Sequence, residues 1–356
     1  MVSLMNNIFS EDILQNDFFD LIKKDDALIV KLKKNNNVII SSWLNGGICH
    51  NMSNIVNQSI SGNDYDDLSN GDFVGFQRNK FIDLGLIPEE TTGLMTSACM
   101  DNYAISSKKY EQLEVTSIVT AGADKNGVKA GDKASFYEYN NHYFTHFGTI
   151  NVIVIINSNL NDGGLVTAGI TATEAKSTVL QDLKVESQYS TNIASGTGTD
   201  GLCIISNKDS DNHIENAGKH SKLGELIAKT VREATFEALY LQTFMSFEFQ
   251  STVLSRLSRF NISFYDFFKE SSDEKLDYAS KFYHFNNDLN NVAFVSSIVD
   301  LIDEVQVGLL EIKDIEKIVK LLFEAYLSSD INDEKIENVN DILDLLIKSV
   351  NHFLLN

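Results

Sequence analysis

The fold is decided by GTINVIVIIN, Gly148–Asn157, and the run that follows it, GGLVTAGITATEAKSTVLQDL, Gly163–Leu183. The first is a short block of β-branched apolar residues bounded by glycine and asparagine, the pattern of a strand covered on both faces. The second repeats small and apolar residues at three- and four-residue intervals, the period of a helix. NNVIISSWL, LEVTSIVTAG and GLCIIS repeat the strand pattern, and KLGELIAKTVREATFEALYLQTF repeats the helical one. Buried strands followed by long helices predict a sheet with helices packed on it. The expected class is α/β, a mixed central sheet with packed helices.

Near Leu241 the chain changes character. Of its 20 glycines only Gly308 lies beyond that point, and its single proline, Pro88, lies before it. FYDFFKESSDEKLDYASKFYHF, VSSIVDLIDEVQVGLLEIKDIEKIVKLLFEAYL and VNDILDLLIKSVNHFLL then carry helical periodicity with polar breaks between them. Two domains are expected: residues 1–240, and an all-α C-terminal helical region, 241–356.

Bulk properties exclude several classes. With 356 residues the chain can bury a substantial core. A net charge of −21 argues against binding nucleic acid through its phosphates. Cys49, Cys99 and Cys203 are too scattered for a disulfide framework or a CxxC metal pair, so a reducing compartment is expected. The start of the sequence lacks a basic segment followed by an apolar one, and no apolar run approaches membrane-spanning length. The reading is a cytoplasmic protein with no membrane partner; self-association is left open.

Two neighbouring stretches carry the polar chemistry. ASGTGTDGLCIIS, Ala194–Ser206, alternates Gly196, Gly198 and Gly201 with Thr197 and Thr199, and delivers Asp200 to the mouth of a strand. Alternating glycines let backbone N–H groups approach a ligand closely. AGKHSKLGELI, Ala217–Ile227, sets Lys219, His220, Lys222 and Glu225 at a predicted helix start. Between them in function, ITATEAKSTVL places Glu174 and Lys176 on a helix among small residues. Other motifs fail. TAGADKNGVKAGDK approaches a phosphate-binding loop, but its second glycine is followed by Val128. HYFTH, with His142 and His146, has metal spacing but reads as strand and lacks a third ligand. DNHIENAG has Asp211 and His213 but puts Gly218 at the wrong offset for a corrinoid-ligating histidine motif. No metal site and no cofactor are expected.

In order and spacing, ETTGLMTSA, VTSIVTAGA with AGD, GTINVIVIIN, GGLVTAGITATEAKSTVLQDL, SGTGTDG and GKHSKLGELIAKTV resemble the adenosylcobinamide amidohydrolases of the CbiZ type. SSWLNGGICHNMSNIVNQ is similar to that family's early glycine–asparagine segment. The resemblance covers roughly residues 35–240. It implies that residues 1–240 form an amidohydrolase domain of corrinoid salvage. That enzyme would cut the amide joining the aminopropanol arm to the corrin, giving adenosylcobyric acid and 1-aminopropan-2-ol. The corrinoid would then be a substrate and not a cofactor.

Amide hydrolysis needs an activated nucleophile, donors for the tetrahedral oxyanion and an acid for the departing amine. On this reading Asp200 or Glu174 activates water, and His220 protonates the amine. N–H groups of Gly196, Thr197, Gly198 and Thr199, with Lys222, stabilise the oxyanion. In a covalent version Thr199 or Thr197 is the nucleophile and His220 its base. Lys176, Asn45, Gly46 and Asn151 are expected to line a wide site for the amide-rimmed corrin. The rival readings are a hydrolase of another amide on the same scaffold, and a corrinoid-binding or regulatory protein without catalysis.

Overall fold

The computed structural model describes residues 10–62, 64–68, 71–134, 137, 149–269 and 275–355. His142 and His146 lie outside the described residues. The chain forms two compact units, Met1–Ser246 and Phe247–Asn356.

Among its described residues the first unit has two large sheets and two two-stranded ones. The strands are β1 Ser10–Gln15, β2 Phe19–Lys24, β3 Ala27–Leu32, β4 Asn36–Ile40, β5 Gly47–His50, β6 Asn54–Ser59, β7 Thr91–Thr96, β8 Ala104–Tyr110, β9 Leu113–Ala121, β10 Gly127–Val128, β11 Ile150–Ile156, β12 Asn159–Leu160, β13 Gly196–Thr197, β14 Gly201–Asn207 and β15 His213–Ile214. One large sheet runs β5-β4-β14-β11-β9-β8, and the other β1-β2-β3-β6-β7. Both are mixed, where a single mixed central sheet was expected. β11 pairs parallel with β14 across α3, Asp162–Asp182, while β9 and β4 flank that pair antiparallel. β6 pairs parallel with β7 across α1, Asp64–Leu68, and α2, Phe73–Asp83. Lys24 faces Ala27 across a two-residue turn, with Asp25 at φ 51°, the left-handed conformation that tight hairpins require.

The alternation of side chains assembles the layers. Val115 and Val119 of β9, Val152 and Val154 of β11 and Ile204 of β14 pack against α3 and against α4, Lys222–Thr243. The opposite parity, Ile118, Ile153, Ile155, Cys203 and Ile205, packs against Leu28, Val30 and Ile55 of the second sheet. That sheet turns Ile22, Ala27, Ile29 and Val56 to Phe81 and Leu84 at the end of α2. The result is a helix–sheet–sheet–helix sandwich, with the six-stranded sheet buried on both faces. α3 starts at Asn161, whose Oδ1 accepts from Gly164 N at 2.7 Å, and α4 at Ser221, whose Oγ accepts from Gly224 N at 3.0 Å.

The second unit is helical: α5 Phe247–Gln250, α6 Val253–Leu257, α7 Phe264–Lys269, α8 Lys275–Asn287, α9 Leu289–Gln306, α10 Ile312–Leu327 and α11 Val339–Leu355. Its core is built on Phe267, Tyr278, Phe282, Val295, Ile298, Phe323 and Leu346. Tyr278 donates its hydroxyl to Asn351, which also ties α11 to Phe267 O at 3.0 Å. Among the described residues, no helix is long and apolar enough to cross a membrane.

Candidate active site

The glycine loop 194–200 leads into β14 and is fastened on every side. β13 pairs antiparallel with β10, Gly127↔Thr197 and Val128↔Gly196. Ser177 Oγ and Gln181 Nε2, both on α3, donate to Ser195 O at 2.7 Å and Ala194 O at 2.9 Å. Gly198 N donates to the buried Asn126 O at 3.2 Å, and Thr149 Oγ1 to Thr199 O at 2.5 Å. The amides of Thr197 and Gly198, expected to face a ligand, therefore already donate within the protein, to Asp200 and Asn126.

Asp200 is the centre of this arrangement. Its Oδ1 accepts from Thr197 Oγ1 at 2.6 Å, Thr197 N at 3.1 Å and Ile150 N at 3.2 Å. Its Oδ2 pairs with the ammonium of Lys176, which reaches in from α3 and is buried. Gly196 passes directly under this pair: a Cβ there would fall inside contact distance of Asp200 Oδ2 and 2.7 Å from Lys176 Nζ. The sequence thus needs glycine at 196 so that backbone can run beneath an ion pair. A hydroxyl donating to a carboxylate, itself oriented by a third group, is the geometry of an activated nucleophile.

A second polar cluster lies between the sheets at the same end. Asn151 follows Ile150 on β11, opposite both Gly201 of β14 and Thr120 of β9. Its Nδ2 donates to Asn57 Oδ1 at 2.7 Å and to Met95 O at 3.0 Å, and Asn57 Nδ2 donates to Thr120 Oγ1 at 2.9 Å. Asn57, Thr120 and Asn151 are buried, and Asn151 Oδ1 has no hydrogen-bond partner among the described residues. Asn151 therefore fastens the two sheets together beneath the loop.

Of the other residues expected at the site, only Thr199 lies in this loop. Successive helical residues are about 100° apart, so Glu174 and Lys176 point to nearly opposite sides of α3. Glu174 is exposed and pairs with Lys219, while His220 is exposed beside the start of α4. Lys222 lies 4.6 Å over the ring of Tyr110, at the Leu113 end of β9. Thr120 is at the other end, roughly 23 Å along the strand at ~3.3 Å per residue. Lys222 cannot serve an oxyanion at the glycine loop from there. A hydrogen bond to Glu225 raises its pKa, and those from Lys222 and Lys229 hold the Glu225 carboxyl down at about 2. Asn45 donates to Pro88 O and Thr91 O, each at 2.8 Å, so its amide braces a turn. Gly46 beside it is exposed, and its backbone is pressed against the Ser42 carbonyl. Thr199 is exposed, with its carbonyl held by Thr149.

Sequence reading missed Asn57, Thr120 and Asn126. The first two carry a usable signal, polar residues at the inward parity of otherwise apolar strands. Asn126 carries none, because only the tertiary pairing of β10 with β13 sets it against the loop. Cys203 is buried, and burial pushes its thiol well above the ordinary value, in keeping with a structural thiol. Among the described residues no group of three His, Cys, Asp or Glu could hold a metal ion.

Fold and cluster together define a helix-flanked two-sheet protein with a hydroxyl, a carboxylate and an ammonium gathered at one end of its sheets. Residues 11–246 match the adenosylcobinamide amidohydrolase family, and the chain belongs to that family. It is 34% identical over 171 residues to an uncharacterised protein of Methanocaldococcus jannaschii, covering 45% of this chain and 66% of that protein, just under two thirds of its length. Among solved structures it is similar to the PH0078 protein of Pyrococcus horikoshii, at 10% identity and a TM-score of 0.32, covering 64% of this chain and 82% of that one. It is also similar to the L-aminopeptidase D-Ala-esterase/amidase of Ochrobactrum anthropi, at 9% identity and a TM-score of 0.32, covering 66% and 82%.

Proposed function

We propose that the first unit hydrolyses the amide joining the aminopropanol arm to the corrin ring of adenosylcobinamide, in corrinoid salvage in the cytoplasm. Family membership supports the reaction class. The observation that carries the mechanism is Thr197 Oγ1 donating to Asp200 Oδ1 at 2.6 Å while Lys176 holds Oδ2.

Thr197 Oγ attacks the amide carbonyl and passes its proton to Asp200. Lys176 carries three N–H donors; one serves the ion pair with Asp200, and a second stabilises the developing oxyanion. Asp200 then gives its proton to the departing aminopropanol nitrogen as the C–N bond breaks, leaving the corrinoid acyl group as an ester on Thr197. Water, deprotonated by Asp200, cleaves that ester to the free carboxylate and restores the Thr197 hydroxyl. This assignment replaces the His220 and Lys222 roles expected from sequence, because neither is held against the loop.

The test is release of 1-aminopropan-2-ol, with mass spectrometry of the corrinoid product. Asp200→Asn should lower turnover by ~10²–10⁴-fold, the usual worth of general acid–base catalysis. Thr197→Val should do the same and Thr197→Ser should retain activity, whereas Thr199→Val and Lys222→Met should stay near wild type. Wild-type turnover in Thr197→Val would remove the covalent step. Binding of intact corrinoid with no release by the wild-type protein would favour the binding-protein reading.

A further inference from the structure

The loop between β4 and β5 runs from Ser41 to Gly46 and carries the chain's only tryptophan, Trp43. It is anchored to the strand that carries the candidate site. Ser41 N donates to Leu202 O at 3.0 Å, and Leu202 N to Ser41 Oγ at 2.9 Å. Trp43 and Asp200 each lie two residues from this bonded pair, so their Cα atoms are no more than about 20 Å apart.

The rest of the loop is rigidly braced. Leu44 N donates to Gln77 Oε1 at 2.8 Å, and Leu44 O accepts from Ser42 Oγ at 2.8 Å and Thr92 Oγ1 at 2.9 Å. Asn45, at φ 55°, is held by its two bonds to Pro88 O and Thr91 O. Out of this frame Trp43 projects with 47% of its surface exposed, stacked on Phe73 at 4.6 Å between ring centroids and 14° between planes. Val74, next to Phe73, and Ile48, just beyond the loop, are also exposed, at 44% and 45%. Single exposed apolar residues are ordinary. A rigid, pre-stacked indole on a loop bonded to the site strand is a different matter, since such a ring binds a flat ligand with little ordering cost.

We infer that Trp43 is the platform that binds the conjugated face of the substrate ring beside the site. The inference rests on the proposed corrinoid substrate and adds a positioning residue outside the reacting groups. Asn45 and Gly46 present no groups to a ligand and instead shape the turn that holds Trp43.

The test compares wild type, Trp43→Phe and Trp43→Ala in two assays, steady-state release of aminopropanol and equilibrium dialysis of cobinamide. Trp43→Ala should raise KM and the cobinamide dissociation constant about tenfold, the worth of one stacking contact, and leave kcat within about twofold. Trp43→Phe should recover most of the affinity, which shows that a ring and not merely a folded loop is required. Unchanged KM and unchanged dialysis in Trp43→Ala overturn the platform while leaving hydrolysis intact. If wild type releases no aminopropanol yet Trp43→Ala still weakens cobinamide binding, the platform stands and the hydrolytic reading falls. A fall in kcat alone in Trp43→Ala also overturns it.

Discussion

Replacing Gly196 by alanine tests the centre of the site most sharply. The added methyl would fall inside contact distance of Asp200 Oδ2 and 2.7 Å from Lys176 Nζ. Asp200 cannot swing away freely, because three donors hold its other oxygen. Asp200 Oδ2 and Lys176 Nζ must both shift away from the methyl, at the cost of the ammonium–carboxylate contact. A hydrogen bond to a charged group contributes ~1.5–3 kcal/mol, and partial exposure of Asp200 sets the expected loss near the lower part of that range, about 2 kcal/mol. For a unit of this size that is a fall in Tm of roughly 4–8 °C. Calorimetry of the full chain, following the transition of the first unit, reads the stability, and aminopropanol release reads the activity, which should fall ~10²-fold. Lys176→Met should cost a comparable amount, and the double variant should cost clearly less than the sum, because both remove one interaction. An alanine variant with wild-type Tm and turnover, or strict additivity with Lys176→Met, would refute the picture of backbone threading beneath the pair.

Two further outcomes are expected. Because the folded Glu225 carboxyl is held at about 2, below its ordinary value, its stabilising contribution is complete above pH ~4.5 and disappears as pH falls towards 2. Glu225→Gln should lower the urea midpoint above pH ~4.5 and make no difference near pH 2; a constant offset at all pH values would show that the ion pairs are not responsible. In the helical unit, Arg256 has Nε and Nη1 buried without a hydrogen-bond partner among the described residues, and burial lowers its pKa against the opposing influence of Asp300. Arg256→Met should stabilise that unit by about 1 kcal/mol in chemical denaturation, whereas destabilisation would mean the guanidinium is compensated.

Much of the architecture is legible in the residues. β11 and α3 follow from an unbroken apolar strand and a small-residue helix, and the helical periodicity beyond Leu241 announces the helices at the C-terminus. Less visible is the second sheet. Its strands β2 and β3 mix lysine and aspartate with the apolar residues, and only pairing shows which parity faces inward. At the site, SGTGTDG announces a loop with an acid, yet the partner of that acid depends on helix phase. The angular step of a helix separates Glu174 from Lys176, so one joins Lys219 at the surface and the other joins Asp200 in the interior.

By itself the sequence determined the central apolar strands, the long helices, the family, and the glycine, threonine and aspartate of the loop, because periodicity and local turn chemistry are written within a few residues. The tertiary structure decided which charges meet. α4 lies along β9 with its start at the Tyr110 turn, which carries Lys222 to the far end of the sheet from Asp200. β10 pairs with β13 and commits the loop amides, while the stacking of two sheets brings Asn57 to Asn151. These contacts join residues dozens of positions apart, and their geometry follows from sheet register and helix direction, which no local pattern of residues specifies.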